Sequence, residues 1–245
     1  MVNGMSVTSL TGTGGTRTNW SDATVQEYGL QLAAHSAEIP YGGVFTNVLP
    51  KDGGNRTSGS VFFNFADEDF QADNLDDDLR SRQFTVANTT KRMIDVNPSL
   101  GGALIQDRLW YHAAFRYVVT DNYVGGLYYN ANPKAWTYTP DLSRPAISDQ
   151  ETYDTTLNLT LQVSQKHRLS VFGTYDKMCL CHFSISPTVA PEAATYNPGD
   201  SSLIQGRWTS TLSSSVLVEA GASPATATRC GRRSAATSRQ GPPAP

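Results

Sequence analysis

What this chain lacks narrows it before anything it contains. No stretch of its 245 residues approaches the roughly 18 consecutive apolar residues that a membrane-crossing helix needs. Membrane strands stay open, because they are too short and too mixed in polarity to register as a hydropathy peak. Cysteine is scarce: Cys179, Cys181 and Cys230 are too few for the disulfide framework of a small secreted domain. Cys179-Leu180-Cys181-His182 is half of a soft-metal site, but structural zinc wants four ligands and no second cluster follows. Incidental thiols in a loop are the expected reading. Charged residues are only 17% of the chain and the net charge is -3, below the usual charge content of soluble domains. Without a basic surplus, nucleic acid is not an expected partner. The opening Met1-Val2-Asn3-Gly4-Met5-Ser6-Val7 has neither a basic patch nor an apolar core, so it is not expected to be a secretory signal. The four histidines (His35, His112, His167, His182) and the scattered serines show no nucleophile–base spacing. Gly12-Thr13-Gly14-Gly15 has no strand before it and no Lys-Ser/Thr after it, so it is a flexible turn and not a phosphate loop. No enzyme activity, catalytic residue, cofactor or metal ligand is expected.

What is present is alternation. From Tyr153 to Val163, the residues Tyr153, Leu157, Leu159, Leu161 and Val163 fall on one side of a strand. Asp154, Thr156, Asn158, Thr160 and Gln162 fall on the other. Similar strands are predicted at Ser58–Phe65, Arg92–Gly102, Arg108–Asp121, Arg168–Met178, Ser201–Thr211 and Val216–Ala222. Short polar turns at residues 104–107, 164–167 and 212–215 alternate with long loops at 66–90, 122–150 and 179–200. A meander of antiparallel strands follows, because such short turns permit nothing else. Long loops at one end and tight turns at the other are the rhythm of a transmembrane β-barrel. Aromatics near strand ends (Phe63, Phe65, Trp110, Tyr111, Tyr153, Tyr175) fit interfacial girdles, and fit the core of a sandwich as well. The fold class is therefore all-β, about seven strands of an up-and-down meander forming part of a barrel. A secreted or surface β-sandwich, adhesive or carbohydrate-binding, is the alternative; it requires a second sheet over each aliphatic face. A carbohydrate-active enzyme is a third reading, from the Tyr/Trp/Asn-rich stretch 128–138, and would need paired carboxylates.

Residues 1–55 are rich in Gly, Thr, Ser and Asn, with a helix-like patch at Val25–Ala34 and a short strand at Val44–Leu49. Pro50-Lys51-Asp52-Gly53-Gly54-Asn55 is a turn signal. Asn3-Gly4-Met5, Val25-Gln26-Glu27, Ser36-Ala37-Glu38, Gly42-Gly43-Val44, Asn47, Pro50-Lys51 and Gly53-Gly54-Asn55 occur in that order. Together they resemble the end of the plug domain of TonB-dependent outer-membrane receptors, in the group with an N-terminal carboxypeptidase-regulatory-like domain. Gly59-Ser60, Phe62-Phe63, Leu100-Gly101-Gly102 and Asp107-Arg108-Leu109-Trp110-Tyr111 look like that group's first barrel strands. Tyr138-Thr139-Pro140-Asp141-Leu142-Ser143-Arg144-Pro145 and Ala190-Pro191-Glu192-Ala193 sit where its outer loops would be. The resemblance implies a mixed α/β plug remnant at 1–55, barrel strands at 56–222, and energised uptake of an unknown nutrient ligand. Outer-membrane lipid and a TonB-type energising complex are its implied partners, and the cell outer membrane its implied place. It also implies a middle slice: signal, energy-coupling box and most of the plug absent before it, and about fifteen strands of a 22-stranded barrel absent after it.

Lumen-facing Asn64, Asp95, Asn97, Arg116, Asn158 and Glu219 are the candidate ligand-binding positions, expected to hydrogen-bond the plug or water. Asp67-Glu68-Asp69 with Asp73, Asp76, Asp77 and Asp78 lacks the spaced ligands of a calcium loop, and is expected to be a solvated outer loop. From Ser223 to Pro245 no Val, Ile, Leu, Met, Phe, Trp or Tyr occurs, so that tail is expected to be disordered. Its only charges are Arg229, Arg232, Arg233 and Arg239, which suggests a shifted reading frame; translating the DNA past codon 222 in the other frames tests it.

Overall fold

A computed structural model of the chain describes residues 1–7, 20–32, 44–72, 75–83, 86–186, 188–229 and 232–233. The turn expected at residues 12–15, the quoted residues 36–38 and 42–43, His35, Asp73, Cys230 and most of the tail lie outside those residues. The described chain is mostly antiparallel β-structure. One large sheet is formed by β3 (Ser58–Asp67), β4 (Thr89–Ile105), β5 (Leu109–Asn130), β6 (Pro140–Ser164), β7 (His167–Phe183) and β8 (Thr195–Ser213). Each pairs with its neighbour in sequence, antiparallel throughout. A smaller sheet pairs β1 (Val25–Gln31) with β2 (Phe45–Pro50).

The strands run longer than the apolar pattern predicts. The expected loop 122–150 shrinks to residues 131–139, since β5 continues to Asn130 and β6 begins at Pro140. The loop expected at 179–200 shrinks likewise, because β7 reaches Phe183 and β8 starts at Thr195. Ladder hydrogen bonds need no apolar side chain, so hydrophobic alternation marks only part of a strand. Pro140 and Pro145 are tolerated because this end of β6 pairs with β5 alone; pairing with β7 starts at Gln150, and proline is admissible on an edge. In the expected loop 66–90 the aspartates cap helical turns. Asp67 accepts from the Asp69 N–H at 3.1 Å, ahead of a 3-10 turn at Glu68–Phe70. Asp76 accepts from the Leu79 N–H at 2.8 Å, at the start of α1 (Asp77–Ser81). A carboxylate there meets unpaired N–H groups.

Residues 225–229 and 232–233 of the tail, expected to be disordered, are strands. β9 (Val216–Ala222), β10 (Ala225–Arg229) and β11 (Arg232–Arg233) all lie along the side of β8 away from β7. Gly221 stands opposite Arg207, Ala225 opposite Leu203 and Arg232 opposite Tyr196, an unbroken register. Pro224 separates β9 from β10, yet its carbonyl still accepts from the Ile204 N–H at 3.0 Å. The three pieces act as one ribbon, the seventh position across the sheet. The missing apolar side chains do not prevent this, because the upper half of β8 supplies an open backbone edge.

The helix expected at Val25–Ala34 is instead strand β1 as far as Gln31. Gly29 would cost a helix about 1 kcal/mol, whereas Val25 and Tyr28 suit a strand that β2 can pair. No α-helix occurs among the described residues of 1–55, so the mixed α/β unit expected there is not seen; a 3-10 turn at Asp22–Thr24 and the β1–β2 sheet stand in its place. This layer lies against the large sheet, where Val2, Val25 and Val48 pack with Phe172 and Leu203.

Candidate functional site

Burial along β6 is inverted relative to a water-soluble strand. Asp154, Thr156, Asn158 and Thr160 are buried, at 2%, 3%, 6% and 2% exposure, while Leu157 is 44% exposed. The register carries this across the sheet. Phe63 lies opposite Val96, Val96 opposite Tyr117, Tyr117 opposite Tyr153. Leu159 lies opposite Val171, and Gly173 opposite Ile204, on the same outer face. Val61, Phe63, Leu157, Leu169, Val171 and Ile204 are all exposed. Among the described residues buried polar side chains outnumber buried hydrophobic ones, fifteen to twelve, the reverse of what an aqueous core selects.

The inner face carries the candidate site. It is covered by the N-terminal layer through side-chain hydrogen bonds. Asp52 is the centre of one group: its carboxylate accepts from Asn158 Nδ2 at 2.8 Å, Thr160 Oγ1 at 3.1 Å and an Arg168 Nη at 2.7 Å. Asn158 also donates to the Lys51 carbonyl at 2.9 Å. Gln205 donates to the Val2 carbonyl and accepts from Asn3, each at 3.2 Å. Ser21 donates to Asn97 at 2.8 Å. The turn expected at residues 50–55 is instead a connector laid against β4 and β5. A Cβ on Gly53 would stand 2.2 Å from the Tyr111 carbonyl oxygen, so glycine serves close backbone approach here and not a reversal. Asn55 then clasps the β4–β5 turn, where Asp107 has a φ of 57°. Its Oδ1 accepts from the Asp107 N–H at 3.1 Å and from Trp110 Nε1 at 2.7 Å. Trp110 therefore faces the connector, on the side of the sheet opposite Leu109 and Tyr111.

Of the predicted positions, Asp95, Asn97 and Arg116 come together. Arg116 donates to both oxygens of Asp95, at 3.1 and 2.7 Å. Asn97 and Asn158 hold the N-terminal layer. Asn64 is opposite Asp95 on the exposed strand β3, and Glu219 lies at the far margin accepting from Arg207 at 2.7 Å; neither joins the central group. Sequence reasoning missed Asp154 and Asp176, opposite one another on β6 and β7, with Thr156 and Thr174 donating to Asp154 and Ser201 to Asp176. The signal was the polar half of each alternation.

A second cluster lies in the strand extensions beyond the apolar band. His182 Nδ1 is 2.8 Å from Asp149, its Nε2 is 3.3 Å from the Tyr129 hydroxyl, and the Arg144 guanidinium sits 4.6 Å from the Tyr129 ring centre. Glu192 accepts from the Asn130 N–H at 2.6 Å, joining the β7–β8 loop to the end of β5. Cys179 and Cys181, expected to be incidental thiols, are joined as a disulfide. The hydrogen bond to Asp149 raises the His182 pKa, against the opposing effect of burial. The sign is that of a cation gaining a partner. The contribution is complete below the ordinary imidazole value near 6.5 and fades as pH rises through the raised one. We expect Asp149→Asn to return His182 towards its ordinary value, read from the imidazole proton shifts in an NMR titration; an unchanged midpoint would show that Asp149 does not set it.

An open cleft of about 340 Å³ at the same end of β3–β5 is lined by Phe65, Asp67, Glu68, Lys91, Arg92 and Tyr123. Its charge is mixed, and Arg92 is already held by Asp121 at 2.8 Å. Among the described residues no cluster of three or more His, Cys, Asp or Glu is arranged to hold a metal ion. No known family model matches the chain, and neither the curated proteins nor the solved structures hold a match to it.

Proposed function

We propose that this chain is part of a TonB-dependent outer-membrane receptor: the end of the plug followed by the first barrel strands, from a protein that takes up a nutrient ligand with energy from a TonB-type complex. The observation that carries the reading is the inverted burial, with bare aliphatic positions on one face and buried polar ones on the other. The bare face has the dimensions of a lipid-facing band. Tyr153 to Val163 is about 33 Å along the strand at about 3.3 Å per residue, or about 23 Å of bilayer at a tilt near 45°. Outer-membrane barrels show an apolar band about 25 Å tall between aromatic girdles. Tyr117 and Tyr153, with ring centres 4.8 Å apart, bound one side of that band. Both hydroxyls donate to Glu151, at 2.9 and 2.7 Å, as aromatics do where one end is apolar and the other wet. The order of the quoted plug and strand residues supports the particular family. A sandwich reading needs a second layer on the aliphatic face, and among the described residues the only second layer, β1–β2, packs on the polar one.

No catalytic role, cofactor or nucleic-acid partner belongs to this reading. The test is refolding into non-ionic detergent and then dilution of the detergent. The chain should keep its β-type circular dichroism in micelles, precipitate when micelles are removed, and float with lipid vesicles supplied in their place. A monodisperse, folded chain in detergent-free buffer would sink the reading.

A further inference from the structure

Cys179 and Cys181, joined as a disulfide, both belong to β7. A disulfide that staples a fold joins distant segments, and its hold on the unfolded chain grows with the loop it closes. This one encloses Leu180 alone, so it adds little to global stability and links no two strands. Its effect falls on β7 itself. Residues two apart in a regular strand have Cα atoms about 6.6 Å apart, close to the far limit of about 6.8 Å for a disulfide. Here the two Cα atoms are 5.2 Å apart, so the strand is drawn in at the bond.

The ladders on both sides carry that contraction. Leu180 stands opposite Asn197 of β8, and the next pair is Phe183 opposite Thr195. Three steps along β7 meet two along β8, a bulge of one residue at positions 181–182. On the other side Leu180 stands opposite Gln150 of β6, so an unbroken register would set Cys181 against Asp149. It is His182 that reaches Asp149, at 2.8 Å, one residue late. Both neighbours thus see the same shift directly after Leu180. The bond is also accessible, since both cysteines are half-buried. A dithiol reductant opens it in two steps. One thiolate attacks a cysteine sulfur and breaks the S–S bond, and the reductant's second thiolate then resolves the mixed disulfide. Two electrons pass from the reductant, which leaves as its own disulfide, and each cysteine leaves with a proton.

We propose that Cys179–Cys181 is a redox switch of strand register: a dithiol opens it, the bulge smooths out, and Cys181 replaces His182 opposite Asp149. The displaced residue passes into the loop at 184–194. The contact of His182 Nε2 with the Tyr129 hydroxyl, 3.3 Å in the oxidised form, is lost with it, so β5, β6 and β7 give up a shared tie at this end. The switch does not depend on the receptor reading. The test uses the full chain with Cys230→Ser, refolded in non-ionic detergent, so that only this pair reacts. Dithiothreitol followed by iodoacetamide should add two alkyl groups per chain while the β-type circular dichroism persists. In the reduced, unalkylated chain the NMR titration of the His182 imidazole should have a lower midpoint than in the oxidised chain, because the carboxylate that raises it has gone. The doubly substituted Cys179→Ser, Cys181→Ser chain should match the reduced form, and in Asp149→Asn the redox state should no longer move the midpoint. Alkylation only after the strands unfold, a midpoint indifferent to redox state, a serine pair that keeps the oxidised midpoint, or a shift that survives Asp149→Asn would each overturn the proposal.

Discussion

Replacing Gly53 with alanine is expected to lift the N-terminal layer off the sheet. The added Cβ would stand 2.2 Å from the Tyr111 carbonyl oxygen and 2.8 Å from both the Gly102 oxygen and the Tyr111 nitrogen. All three are backbone atoms inside a ladder, so none can yield as a flexible side chain would. The connector must move, and Asp52 then loses Asn158, Thr160 and Arg168 together. Overpacking plus lost hydrogen bonds amounts to about 2–4 kcal/mol, a factor of roughly 30–700 in the opening equilibrium. Amide exchange in β2 reads it directly, as does cleavage by a protease acting on residues 20–50. Gly54→Ala is the control: a Cβ there meets nothing within 4 Å, and exchange in β2 should stay as in the parent chain. Equal protection in both variants would mean that the connector does not anchor the layer.

The asymmetry between these glycines shows where the sequence was legible and where it was not. The meander, its tight turns and the bounds of Val216–Ala222 follow from period-two alternation, because alternation and short turns are local. Strand ends did not follow. Tyr123–Asn130 and Pro140–Thr152 alternate weakly, and their pairing is settled by the backbone of the neighbouring strand. Ala225–Arg229 is the extreme case, a strand without one large apolar residue whose partner is the open edge of β8. The helix expected at Val25–Ala34 failed for the same reason, since β2 supplies a ladder that a single segment cannot reveal.

The polar face shows a second limit. Parity alone placed Asn97, Arg116 and Asn158 on one side of the sheet, and the structure gives each a partner there. Parity could not say which of them meet, because that depends on strand stagger. Asp95 and Arg116 join across β4 and β5 by a diagonal offset, whereas Asn64, opposite Asp95 on the outermost strand, makes no side-chain hydrogen bond to the central group among the described residues, and Glu219 lies at the other margin, bonded to Arg207. Asp52 looked like part of a turn because Pro, Asp, Gly and Asn are turn formers. The same residues serve a close docking when a sheet lies beneath them, and only tertiary structure tells the two apart.

Arginine scanned along the bare face of β6 is expected to give a cost that depends on depth and not on exposure. Leu157 and Val163 are equally open, at 44% and 46%, and both point to the outer face. In water an exposed leucine or valine exchanged for arginine changes stability by about 0.5 kcal/mol or less, and the two positions should behave alike. Against hydrocarbon they should separate. Leu157 lies near the middle of the Tyr153–Val163 band, where an arginine costs about 2–4 kcal/mol, while Val163 lies at its edge, where the cost falls to about 0–1 kcal/mol. Steric effects do not confuse the comparison, because Leu157 is flanked across the sheet by Ala113 and Gly173, which leave room for the longer side chain. Denaturation midpoints of the two variants in non-ionic detergent or lipid provide the measurement. A clear loss at position 157 with little change at 163 fits a face built to meet lipid. Equal, small effects at both would mean that water covers this face, and the receptor reading would lose the observation on which it rests.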